Sequence, residues 1–241
     1  MKTAWLSTLL IVAASIWVPA AVTSTNHKND PHYLPVGFFD LHVCNWPDRK
    51  PFFLAVFSSY QHDKVKRVNV FAPNGNKVGG INLANYRLIR KEGKPLKKAF
   101  LTEMELTEPL QNGWYRAEIE MINGARYIAK DFVEIKLLPR ALNRIPAAGA
   151  TNIAAPRELK WDPVPEAKFY RVVIKDLWND EKMVYSSKLL KEPRLVVPSG
   201  LLQPGGYYSW LVHARDVNED PVLGDFNRGS QTDAIEFSIK P

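Results

Sequence analysis

One cysteine in 241 residues leaves no pair for a disulfide framework and no cluster for a thiolate-bound zinc or iron–sulfur centre. Asn-x-Ser/Thr acceptors are absent, so no N-linked glycan is expected. Beyond the N-terminal segment no apolar run is long enough to cross a bilayer. The chain has no Gly-x-Ser-x-Gly elbow, no Gly-x-x-x-x-Gly-Lys phosphate loop and no His-Glu-x-x-His helix, which removes the commonest hydrolase, nucleotide and metalloprotease signatures. His27 and His32 fall in a polar, proline-containing stretch, while His42, His62 and His213 are scattered over separate strands or loops. No metal ligand set, cofactor or catalytic residue is read from them. What remains is 46% hydrophobic and 24% charged, the composition of a chain with a core.

Residues 1–24 (MKTAWLSTLLIVAASIWVPAAVTS) place one charge, Lys2, before an apolar stretch and small residues. That order predicts a cleavable signal peptide, with cleavage after Ala20 or Ser24. Export without cysteine pairs or glycan acceptors points to a bacterial periplasm or cell surface, and to no integral membrane protein after cleavage. Residues 25–35 are polar and read as a tether.

From 36 to 139 the chain shows short β-branched and aromatic runs at 38–44, 52–58, 66–71, 100–106, 114–122 and 125–136. Asn123-Gly124 marks a hairpin between the last two. Alternation puts Tyr115, Ala117, Ile119 and Met121 on one face, and Arg116, Glu118 and Glu120 on the other. The expected fold is all-β: two tandem antiparallel β-sandwiches, immunoglobulin-like over 36–139 and a second over 151–241, joined by a Pro- and Ala-containing linker at 140–150.

The second half carries Trp161-Asp162-Pro163-Val164, then Tyr170-x-Val172, then Leu202-x-Pro204-Gly205-x-x-Tyr208. In order and spacing these resemble a fibronectin type III domain. The resemblance implies a corner tyrosine at Tyr208, its hydroxyl bonded to backbone and its ring turned inward. It supplies no function, because sandwiches host many roles.

Glu118 and Glu120 invite a glycosidase reading, but two acids side by side on one strand do not flank a sugar. A two-residue Asn-Gly turn would set Arg116 opposite Asp131, making cross-strand ion pairs the better account of these acids. Cys44 reads as a buried thiol at a strand end, with pairing between chains as the alternative.

Charge is uneven. Residues 21–149 hold 19 Lys+Arg against 12 Asp+Glu, whereas residues 150–241 hold 12 against 13. The connection at 85–100 gathers Arg87, Arg90, Lys91, Lys94, Lys97 and Lys98, a candidate contact for an anionic glycan, lipid surface or envelope protein. The same lysines could equally guard a sheet edge. Alternation on the strands of the second half puts Phe169, Val173, Tyr207 and Leu211 on one outward face, a candidate protein interface. Trp178, in a strand-connecting loop, is a candidate for stacking on a sugar. Together these features point to a non-catalytic exported binding or assembly protein of a bacterial envelope. The alternatives are a periplasmic pilus-type chaperone, which residues 133–140 superficially resemble, and an accessory polysaccharide-binding protein. Nucleic acid is not an expected partner, because export separates the protein from it.

Overall fold

A computed structural model describes residues 30–90, 92–106, 111–217 and 226–241; the expected signal peptide lies outside them. Among the described residues are seventeen strands and one short 3-10 turn at His62–Lys64, so the all-β class expected from the pattern is the class observed. No described helix is long and apolar enough to cross a membrane.

The first sandwich packs strands β2 (Gly37–Asn45), β3 (Phe52–Ser59), β7 (Lys97–Glu105) and β6 (Tyr86–Ile89) against β5 (Lys77–Gly80), β4 (Val65–Phe71), β8 (Gly113–Met121) and β9 (Arg126–Val133). Period two decides what goes inside: Phe39, Leu41 and Val43 of β2 meet Phe53, Ala55 and Phe57 of β3 and Tyr115, Ala117 and Ile119 of β8. Each large apolar side chain so enclosed contributes about 2–3 kcal/mol of transfer free energy.

The second core lies between the pair β11 (Glu158–Lys160) and β14 (Arg194–Val196) and a sheet of β10 (Ala150–Ile153), β17 (Ile235–Ile239), β15 (Tyr207–Arg215), β12 (Phe169–Asp176) and β13 (Lys182–Ser186). Trp161 sits at its centre, with ring centroids 5.4 Å from Tyr170 and 6.2 Å from Trp210. Tyr208 is buried, and its hydroxyl accepts the Gln203 backbone N–H at 2.9 Å, the corner expected of it.

The two sandwiches share a sheet. Strand β16 (Arg228–Gln231) pairs antiparallel with β15 and, on its other edge, parallel with β2, Gly229 standing opposite Cys44. A small third cluster of Cys44, Phe52 and Phe226 fills the joint. Asn45 donates to the Leu138 carbonyl at 2.8 Å, Ser230 to that of Pro139 at 2.7 Å, and Arg140 to Asn45 and the Trp46 carbonyl. Cys44 is fully buried and unbridged, which removes it from the reach of a second chain, and burial pushes its thiol far above the ordinary range.

Two local expectations are corrected. Residues 30–35 are not a free tether: β1 (Tyr33–Leu34) pairs with β2, the Phe39 N–H donates to the His32 carbonyl, and the Lys130 N–H donates to that of Pro31. The β8–β9 hairpin has three loop residues rather than two. Met121 donates to the Ala125 carbonyl and Gly124 takes φ +84°, a turn followed by a glycine bulge. The register therefore slips by one, pairing Arg116 with Lys130 and Tyr115 with Asp131. A one-residue slip reverses every side chain, so Asp131 points inward at 1% exposure while Phe132 points out at 50%.

Candidate functional site

The basic connection at 85–100 is an edge hairpin, β6 and β7, rather than a loop. Arg87, Arg90 and Lys94 are exposed, Lys97 and Lys98 are half-buried, and Lys91 lies outside the described residues. Lys98 Nζ stands 3.9 Å from the centre of the Tyr86 ring and Lys97 Nζ 5.4 Å from that of Tyr60. Exposed Tyr60, Tyr86, Leu88 and Leu96 surround these cations, so the feature is amphipathic as well as basic. The charges of this stretch are plain in the sequence, and Tyr86, Leu88 and Leu96 lie among them; Tyr60 joins them only through the fold.

Phe169, Val173, Tyr207 and Leu211 all lie on the outward face of β12 and β15, and all are half-buried. Val173 and Leu211 face each other directly; Phe169 and Tyr207 lie at opposite ends, beyond the Arg171–His213 and Lys175–Ser209 pairs. Trp178 is the most exposed large side chain here, at 74%, and its ring lies 5.5 Å from that of Tyr207, whose hydroxyl donates to Glu236.

Three further features were not legible. Trp114 and Phe132 form an exposed cross-strand pair, ring centroids 5.5 Å apart. Phe132 also lines a groove of about 420 Å³ between the sandwiches, with Glu166, Lys168 and Arg228. Arg228 is held by two acids of its own half, 2.9 Å from Asp216 and 3.0 Å from Glu166, and reaches across the groove to within 3.9 Å of Glu134. The acids of β8 pair as expected on a wet face, but with other partners: Glu120 with Lys66 and Arg67, Glu118 with Arg116.

The third feature is a polar seam along β2. Asp40 and Asp131 are 1% exposed, and both accept the Leu41 N–H, at 2.9 and 2.7 Å. Asp40 is 2.6 Å from His42 Nε2, and Asp131 is 3.0 Å from His32 Nε2. His32 Nδ1 rests 2.6 Å from Asp30. Burial opposes charge on His32, but Asp131 and Asp30 outweigh it and raise its pKa to about 10. Scattered in the sequence, His32 and His42 are thus brought to one place. Further along, Phe226 lies 3.9 Å from His42 and 5.2 Å from His213, with the Arg215 guanidinium 4.8 Å from its ring. Burial, Arg215, His42 and Arg171 hold His213 well below the ordinary histidine range.

No sequence family matches the chain. A comparison with curated proteins likewise returns no match. Among solved structures, the chain is similar to Tp47, the 47-kilodalton lipoprotein of Treponema pallidum, at a TM-score of 0.38 and 12% identity, over 82% of this chain and 50% of that one. It is similar to SGBP-B of Bacteroides ovatus, solved with a mixed-linkage heptasaccharide, at 0.22 and 12%, over 81% and 42%. A third is DIP-gamma IG1+IG2, at 0.22 and 11%, over 86% and 99%. The chain spans half the length of Tp47. At these scores the likenesses carry no functional argument.

Proposed function

We propose that this is an exported, non-catalytic binding protein of a bacterial envelope that docks on an anionic surface through the β6–β7 edge hairpin. The observation that carries the reading is the concentration of Arg87, Arg90, Lys94, Lys97 and Lys98 among exposed Tyr60, Tyr86, Leu88 and Leu96. Cations attract phosphate or carboxylate from a distance, while tyrosine and leucine gain by burial at the headgroup boundary. The second sandwich serves as a fibronectin type III-like module, a reading supported by the Tyr208 corner.

The test is co-sedimentation with phosphatidylglycerol vesicles against phosphatidylcholine vesicles. Binding should be selective for the anionic lipid and fade as salt shrinks the Debye length from about 10 Å at 0.1 M to about 3 Å at 1 M. Replacing Arg90, Lys97 and Lys98 by Gln should reduce it at least tenfold, and Leu88→Ser should weaken it without altering the salt slope. Equal binding by the triple variant sinks the proposal. A polysaccharide reading is favoured by two surface aromatic pairs, the exposed Trp114–Phe132 and the exposed Trp178 against half-buried Tyr207; soluble glycans that quench tryptophan emission, lost in Trp114→Ala or Trp178→Ala, would support it.

A further inference from the structure

The seam between β1, β2 and β9 places two buried carboxylates side by side. Asp40 on β2 and Asp131 on β9 come from different sheets, and the single N–H of Leu41 holds one oxygen of each. The imidazole of His32 already faces these acids and balances part of their charge, and a divalent ion would enter by displacing its Nε2 proton. Three donors converge there: a ring nitrogen of His32 and a carboxylate oxygen from each of Asp40 and Asp131, all within 4.8 Å of one another. We propose that His32, Asp40 and Asp131 bind one divalent transition metal of the zinc type.

The surroundings are those such a site needs. Asp30 Oδ1 takes the Nδ1–H of His32, which fixes the ring and turns Nε2 toward the carboxylates. His42 Nε2 does the corresponding work for Asp40. His32 Nε2 and Asp131 Oδ1 are 3.0 Å apart, near the edge of about 3.3 Å in a tetrahedron with bonds of 2.0–2.1 Å. The remaining positions belong to Asp40 and water. One imidazole with two carboxylates suits zinc better than calcium or magnesium, which favour all-oxygen shells. With its two carboxylates the ion is neutralised in place. The His32 side chain is 20% exposed, giving an ion a route in. Bound there, the metal would staple residues 30–34 across the junction of the two sheets of the first sandwich.

Zinc chloride titrated calorimetrically into metal-stripped full-length protein should saturate at one ion per chain, with mass spectrometry of the dialysed protein reporting the same stoichiometry. His32→Gln and Asp131→Asn should each weaken binding at least tenfold, while His62→Gln, in the short 3-10 turn, leaves it unchanged. Zinc should raise the melting temperature of the native chain and leave that of His32→Gln where it was. Should Asp131→Asn fail to fold, the partly exposed His32→Gln decides between the outcomes. Lack of a stoichiometric site, or binding unchanged in His32→Gln, overturns the proposal.

Discussion

His213 shows how one side chain can set a pH limit. Its ring lies beside Phe226, with Arg215 Nη2 3.5 Å from Nδ1, and it stays neutral in the native state because burial and neighbouring cations oppose its charge. The unfolded chain takes up a proton near pH 6.5, and the native chain does not. Stability from this group is therefore whole above pH 6.5 and falls as the medium is acidified below it, at up to about 1.4 kcal/mol per unit. Urea titrations at pH 7.0, 6.0 and 5.5 should show this loss in the native protein and a flatter profile in His213→Gln. Equal slopes would mean that other groups set the acid limb. The identity of His213 was legible in the sequence, and its outward direction followed from alternation on β15. Its neighbours were not, because Phe226 and His42 reach it only through the joint between sandwiches.

At the scale of the element, the β8–β9 hairpin separates what pattern can and cannot specify. Alternation in β8 assigns Tyr115, Ala117, Ile119 and Met121 to the core, and all four are buried. Where the sequence shows an aromatic or β-branched run, strand edges are legible to within a few residues, since such runs end where turn residues begin, but β6 lies inside a stretch that reads as a connection. Register is another matter: Asn-Gly is compatible with both a two-residue loop and a turn with a bulge, and local sequence does not choose. The choice decides whether Asp131 or Phe132 enters the interior, so the polar seam and the exposed aromatic pair both depend on it. Gly124, at φ +84° with no atom within 4 Å of an added Cβ, is the residue that holds this register. Gly124→Ala should cost about 1 kcal/mol through backbone strain alone. Denaturant unfolding measures it, and a cost near zero would show that the bulge relaxes.

At the largest scale the described residues form two sandwiches joined through one hydrogen-bonded sheet, and that junction is invisible to a linear reading. Nothing in Arg228-Gly229-Ser230 distinguishes a strand that crosses from one half to the other; their role is fixed by where β15 ends and β2 is open. Gly229 occupies the centre of the joint, where an added Cβ would stand 2.6 Å from Phe226 and 2.8 Å from His213 Nε2. Gly229→Val should therefore part the halves while leaving both cores intact. Calorimetry of the native chain should give one cooperative transition, and of the variant two, the first at lower temperature. A single transition in both would mean that the Asn45–Leu138 and Arg140 contacts suffice to couple them.

The parallel pairing of β16 with β2 also has a consequence in time. A chain made from its N-terminus completes the first sandwich long before Arg228 exists, and until then the edge of Val43, Cys44 and Asn45 offers open N–H and carbonyl groups to any passing strand. The nascent first half is thus a partner in search of its own last strands, and contacts so distant in sequence close slowly. A chain cut short within the second half would keep that edge open indefinitely. Its first domain would then pair with other copies of itself rather than remain a soluble fragment.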